Sequence, residues 1–288
     1  MDLLKQTKEL CRIYEIKPAR SKGQNFLIKE KIYDDIVATA NLTKNDTVLE
    51  VGPGLGFLTA KLAKSAGKVV AVELDDKLAE VLRTGLDSGG VENVEVVNGD
   101  ILEFGIGNQE SGRADGDLIP NSKSLIPGYK IVANLPYNIT SIFLRKVLEQ
   151  ENKPSLMVLM LQREVAERIS AKPGAMSLLA VSVQFYAEVE IVQLVKKEDF
   201  WPQPEVESAV VKLRIKNSEL RIDERSFFKL VKIGFTARRK MLKNNLANGY
   251  HLTQSEVEEK LVKVGLNPKI RAQELSLDDW KKLLSHFI

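Results

Sequence analysis

The run VLEVGPGLG, residues 48–56, is an apolar stretch that breaks into three glycines, Gly52, Gly54 and Gly56, each separated by one residue. A helix-like stretch, Phe57–Lys64, follows at once. Strand, glycine turn and helix in direct succession read as the first unit of an α/β fold. Glycines are required because the chain must turn sharply and let a ligand approach its backbone with no Cβ in the way. The next apolar run, Val69–Val72, ends at Glu73, 21 residues after Gly52. A carboxylate at that distance stands at the tip of the second strand and can accept hydrogen bonds from both hydroxyls of a ribose.

The ligand is nucleoside-like but not a dinucleotide. A dinucleotide turn would place Gly or Ala at position 57, where the helix closes on the strand and leaves room for pyrophosphate; here that residue is Phe57. Glu50, just ahead of the glycines, suits a cation better than a pyrophosphate. S-adenosylmethionine, cationic at sulfur and amine and free of phosphate, meets these conditions. Asn98-Gly99-Asp100 follows the apolar run Val94–Val97, which places Asp100 at a third strand tip, where it can accept from an adenine amino group.

A fourth run, Lys130–Ala133, leads directly into Asn134-Leu135-Pro136-Tyr137. This tetrapeptide has the form associated with methylation of amines conjugated to aromatic rings. Such a nitrogen is a poor nucleophile because its lone pair is delocalised. The Asn134 side-chain carbonyl and the Leu135 backbone carbonyl can both accept from the amino group and draw the lone pair out of the ring. Pro136 stiffens the turn, and Tyr137 offers a face for stacking. Catalysis of this kind rests on orientation and electrostatics rather than on a strong base, which fits a chain with two histidines, His251 and His286.

Outward from these runs, apolar strands alternate with amphipathic helical patterns. The candidate strands are Thr47–Val51, Lys68–Val72, Val94–Val97, Lys130–Ala133, Leu156–Leu161, Val189–Val195 and Ala209–Ile215, with helices over Asp75–Leu86, Ser141–Gln150 and Arg163–Ala171 among them. Alternation of this kind gives a mostly parallel sheet covered on both faces. The last two strands have no long helix between them and predict an antiparallel hairpin finishing the sheet. The fold class is therefore α/β, a Rossmann-like seven-stranded S-adenosylmethionine-dependent methyltransferase domain. Residues 105–128 hold five glycines, two prolines and three serines and predict a long loop. Beyond Lys216 the period is helical, with helices expected over Asp223–Phe235, Ala237–Ala247, Gln254–Val264 and Leu277–His286. Thr253 with Glu256 and Ser276 with Asp279 have capping-box spacing. The chain divides into a methyltransferase domain, 1–216, and a small all-helical domain, 217–288, with Phe227, Phe228, Phe235 and Trp280 as its expected core.

A length of 288 residues suits one large domain and one small one, and 44% apolar residues support a sizeable core. A single cysteine, Cys11, rules out an internal disulfide or a thiolate zinc cluster, and no metal is expected. No apolar run reaches membrane-spanning length, and the N-terminus lacks the pattern of a secretory signal, so a cytoplasmic location is expected. The net charge of +3 is unevenly spread: residues 1–200 hold 25 basic and 28 acidic side chains, and residues 201–288 hold 17 and 11. From Arg225 to Ser255 there are seven basic residues and no acidic one, which points to a polyanionic partner.

The runs GQNFL (23–27), VGPGLG (51–56), VELD (72–75), NGD (98–100), NLPYNITS (134–141) and FWPQPEVESAV (200–210) together resemble the KsgA-type small-subunit ribosomal RNA adenine dimethyltransferases over nearly the whole chain. That resemblance implies a residue-by-residue assignment. Asn25 and Leu27 close over the cofactor, Gly52 contacts its amino acid part, Glu73 holds its ribose and Asp100 its adenine amine. Asn134 faces both methyl donor and target, and Phe200 forms a second aromatic sandwiching a flipped adenine against Tyr137. The implied substrate is a pair of adjacent adenines in a hairpin loop near the 3′ end of small-subunit RNA, dimethylated on a partly assembled subunit. A monomer is the default. The Gly105–Gly128 loop is longer than the family pattern needs.

Two basic clusters are expected to flank one groove and contact phosphates. They are Lys17, Arg20 and Lys22 before the QNFL run, and Arg238, Arg239, Lys240 and Lys243, whose spacing would form a stripe on a helix. Three alternatives share parts of this pattern. A large-subunit ribosomal RNA methyltransferase has the same fold and tetrapeptide, but GQNFL with NLPYNITS favours the small-subunit type. A DNA adenine methyltransferase usually differs at the first residue of the tetrapeptide and has a second proline where Leu135 stands. A non-catalytic assembly factor would tolerate loss of Asn134 and Tyr137, both of which are present.

Overall fold

The computed structural model describes residues 2–18, 24–103, 128–216 and 222–287. The loop read over 105–128 lies outside the described residues apart from Gly128, as do Arg20 and Lys22. The chain forms two compact units, Met1–Ala166 with Glu190–Ile215, and Glu167–Val189 with Lys216–Ile288. It passes between them three times, whereas the sequence reading divided it once, after residue 216.

In the first unit, α1 (Leu3–Ile13) is capped by Asp2, which accepts from the Leu4 amide, and buries Thr7 and Cys11. A two-residue strand β1 (Phe26–Leu27) leads into α2 (Glu30–Ala40). Then come β2 (Thr47–Val51), α3 (Phe57–Ser65), β3 (Lys68–Glu73), α4 (Asp76–Ser88), β4 (Val94–Asn98), β5 (Lys130–Asn134), α5 (Thr140–Leu148), β6 (Leu156–Gln162) and α6 (Arg163–Ile169). After α7 (Leu178–Tyr186) the sheet resumes with β7 (Ala187–Val195), followed by the short β8 (Phe200–Trp201) and by β9 (Ser208–Ile215). All seven expected sheet strands are present, their ends displaced by at most two residues.

The sheet order is β4-β3-β2-β5-β6-β9-β7. The pairs β2–β3, β3–β4, β2–β5 and β5–β6 are parallel. Antiparallel β9 sits between β6 and β7, running from Leu156↔Arg214 to Gln162↔Ser208. Val48, Leu49, Val69, Val70, Ala71, Ile131 and Val132 are all fully buried, as strands covered on both faces require. The helices α2 and α3 press Tyr33, Ile36, Leu58 and Leu62 onto Val48, Val69, Val132 and Val158. On α4, Leu82 and Leu86 cluster with Ala71. Strand order reverses between β2 and β5, and the carboxyl ends of strands at such a switch point leave a crevice.

The second unit packs α7 against α8 (Glu224–Gly234), with α9 (Leu242–Tyr250), α10 (Gln254–Lys263) and α11 (Leu277–Leu284) completing it. Phe227 and Trp280 are fully buried; Phe227 lies 4.6 Å from Phe185, and Phe235 lies 5.8 Å from Trp280, centroid to centroid. Both capping boxes are formed, Thr253 with Glu256 and Ser276 with Asp279. The helix expected from Ala237 starts five residues later, at Leu242. The Asn245 amide explains the delay: it donates to the carbonyls of Gly234 (2.6 Å) and Ala237 (3.2 Å), closing residues 235–241 as a turn.

Candidate active site

The switch-point crevice is a cleft of about 310 Å³ within the first unit, lined from β1, the glycine turn, the tips of β3 and β4, and the Asn134–Ile139 segment after β5. Gly52, Gly54 and Gly56 have φ of 64°, 58° and 83°, the left-handed region that glycine enters without strain. At Gly56, the N-cap of α3, a Cβ would also stand 2.5 Å from Leu82 Cδ1, so a substitution would strain the backbone and push the Leu82 side chain aside. The Gly54 amide donates to Glu73 Oε2 and the Asp75 amide to Glu73 Oε1, both at 3.0 Å. Glu73 is 6% exposed, and burial raises its pKa against the lowering effect of these amides. Glu73 lines the cleft, and a carboxylate that accepts one amide at each oxygen keeps further lone pairs for a ligand. Asp100 lines the same cleft and accepts from the Leu102 amide at 2.8 Å, which fixes its rotamer.

Asn25 and Leu27 also line the cleft. They are held there by FWPQP: β1 pairs antiparallel with β8, with Phe26 opposite Trp201 and Leu27 opposite Phe200. The Tyr33 hydroxyl donates to the Leu27 carbonyl at 2.9 Å. At the end of β5, the Leu135 amide donates to the Met160 carbonyl at 3.2 Å. Leu135 is 1% exposed, so its backbone, not its side chain, is what it offers a ligand. Tyr137 is half-buried, its hydroxyl 2.7 Å from Ser208 Oγ, and burial raises its pKa.

Asn25, Leu27, Gly52, Gly54, Glu73, Asp100, Asn134, Leu135, Pro136 and Tyr137 thus come together around one cleft. Phe200 does not. It is 3% exposed and packs with Leu27, Tyr33, Val195 and Val210, and it is absent from the cleft lining. The expected sandwich partner of Tyr137 is, in this structure, a core residue of β8, paired alongside β1. Gln24, Leu74 and Ile101 line the cleft without having been singled out. Leu74, 63% exposed directly after Glu73, had a legible signal: a large apolar residue at a polar strand tip. Ser208 had none, because its partner Tyr137 lies 71 residues away.

The lining carries four carboxylates, Glu50, Glu73, Asp75 and Asp100, and among the described residues no Lys or Arg. This suits a cationic nucleoside and opposes a phosphorylated one. A second, open pocket shares Gln24 and Asp75 with the cleft and carries Arg12, Lys17 and Lys77. Arg238, Arg239 and Lys240 are exposed, but in the turn before α9 rather than on a helix. Lys243 is on α9, ion-paired with Glu258. The basic stripe expected on one helix is therefore a turn triad plus a lysine already engaged.

Fold and cleft define an S-adenosylmethionine-dependent methyltransferase. The model of the family described as ribosomal RNA adenine dimethylase matches residues 17–288, and the chain belongs to that family. It is 43% identical over 283 residues to the ribosomal RNA small subunit methyltransferase A of Dehalococcoides mccartyi (strain CBDB1), covering 98% of this chain and 92% of the relative. Two solved structures are similar in fold. A dimethyladenosine transferase from Plasmodium falciparum has a TM-score of 0.73 and 25% identity, covering 90% of this chain and 96% of that one. The 23S rRNA methyltransferase ErmE has a TM-score of 0.70 and 29% identity, covering 91% and 99%.

Proposed function

We propose that the chain dimethylates N6 of two adjacent adenines in a hairpin loop near the 3′ end of small-subunit ribosomal RNA, acting as a cytoplasmic monomer on an immature small subunit. The observation that carries the reading is the meeting of Asn134–Tyr137 with Glu73 and Asp100 around one acid-lined cleft. When bound there, S-adenosylmethionine supplies an electrophilic methyl group. Glu73 accepts from the ribose hydroxyls, Asp100 from the adenine amine, Gly52 and Gly54 admit the ligand to their backbone, and Asn25 and Leu27 cover it. The Asn134 side-chain carbonyl and the Leu135 carbonyl accept the two N–H groups of the target amine and turn its lone pair out of the ring. Tyr137, held by Ser208, presents its ring to the flipped base. The proton of the alkylated amine leaves to water after the methyl has moved, so no strong base is needed beside Asn134. Flipping costs about a few kcal/mol in a duplex and less in a loop.

The test is transfer of labelled methyl from S-adenosylmethionine to unmethylated small subunits, with nucleoside analysis of the RNA. Labelled N6,N6-dimethyladenosine confined to small-subunit RNA is expected. Label on large-subunit RNA alone would overturn the substrate assignment.

The phosphate contacts are assigned to Lys17, Arg20, Lys22, Arg238, Arg239 and Lys240, with Lys243 already paired to Glu258. Six phosphates neutralised on single-stranded RNA give a slope of log K against log[salt] of about −4. Alanine at Arg238, Arg239 and Lys240 together should bring it to about −2. A binding constant that barely changes with salt would rule these contacts out.

A further inference from the structure

Glu50 lines the cleft from the penultimate position of β2. It is 1% exposed, and its Oε2 has no hydrogen-bond partner. Three groups from neighbouring elements act on it. From α2 comes Tyr33, whose hydroxyl is engaged with the Leu27 carbonyl instead. From α3 comes Thr59, fully buried, close enough to favour the ionised carboxyl but completing no hydrogen bond. From β3 comes Glu73, a like charge. No basic side chain is among the described residues of the lining. A carboxylate so placed has lost its water and gained no counter-charge, and the neutral acid is the stable form. Burial, with Glu73 adding to it and Thr59 opposing, pushes the Glu50 pKa up to about 8.

We infer that Glu50 is a charge-reading residue of this cleft: neutral in the unliganded protein, it ionises and releases its proton to solvent when a positively charged ligand enters. The inference rests on the reading of this cleft as the cofactor site. Its chemistry is an exchange of one cation for another, so the buried carboxyl gains its charge only when a counter-charge is present. Ligands sharing the nucleoside but lacking positive charge gain nothing from Glu50. Binding of the cationic ligand should tighten about tenfold per pH unit as pH rises toward 8, provided the pH stays above the ligand-bound pKa.

The experiment is titration calorimetry of the full chain at pH 7 in phosphate and in Tris, buffers of different ionisation enthalpy. The probes are S-adenosylmethionine and 5′-methylthioadenosine, which keeps the nucleoside and thioether without the charge. With S-adenosylmethionine the wild type should release about 0.9 proton, the neutral fraction at one pH unit below the Glu50 pKa. Glu50→Gln should release none from this position, and methylthioadenosine should release none from either protein. The ligand's own ammonium titrates near 7.7–8.0 and is at most about one-sixth deprotonated at pH 7, so any proton it takes up is small beside the difference between the two proteins. Equal proton counts for wild type and variant would overturn the inference. Should Glu50→Gln fail to bind, the two probes on the wild type decide, and equal counts again overturn it. Glu73→Ala separates the two levels. Undiminished binding there removes the ligand from this cleft, whereas lost binding with no proton difference refutes the role of Glu50 alone.

Discussion

Asn134→Ala is expected to slow methyl transfer by about 10²–10³-fold while cofactor affinity changes by less than tenfold and RNA binding persists. The magnitude is that of removing one preorganised polar group from the point where charge develops. Asn134 is the last residue of β5, in register with Met160 on β6, and the next amide is tied to the Met160 carbonyl. Its position is therefore fixed by the sheet, and truncation of its side chain removes the acceptor without disturbing the frame. Single-turnover transfer, with separate equilibrium binding of cofactor and RNA, checks this. A variant retaining more than a tenth of the wild-type rate would take the amine-acceptor role away from Asn134.

Glu73→Ala is expected to weaken cofactor binding by about 10²-fold or more. Two hydrogen bonds from ribose hydroxyls to a carboxylate, at about 1.5–3 kcal/mol each, account for a loss of that size or larger. Two further acceptors vanish, those of the Gly54 and Asp75 amides, which hold the glycine turn and the start of α4 against the tip of β3. Glu73→Gln keeps one acceptor oxygen and should lose less. Calorimetry with S-adenosylmethionine measures both, and a thermal melt shows whether the fold is intact. An alanine variant binding within threefold of wild type would place the ribose elsewhere.

Much of this architecture was legible because its signals are local. Each of β2 to β5 is a short apolar run that ends at or just before a glycine, an acid or an asparagine, and this pattern locates it. Glu73, Asp100 and Asn134 stand at successive strand tips, so spacing along the chain translates directly into convergence at the cleft. What was not legible depends on partners distant in sequence. The fate of Phe200 is set by β1, 173 residues earlier, whose pairing turns it toward Leu27 and Tyr33. The late start of α9 depends on one amide, Asn245, reaching back to Gly234, a tertiary choice that helical periodicity over Ala237–Ala247 does not register. The engagement of Lys243 by Glu258 likewise cannot be seen by counting charges. The excursion of residues 167–189 into the second unit escaped because α7 reads as any other helix between two strands.

The β1–β8 pair has a consequence for the order of events during synthesis. Leu27, which lines the cleft, is paired with Phe200, so this part of the wall cannot be fastened until 200 residues have been made. At about 5–20 residues per second that is about 6–25 s after the glycine turn and the strands on either side of it, complete at Glu73, could first begin to assemble. On the reading of this cleft as the cofactor site, its β1 wall is in place only once about two-thirds of the chain has been made.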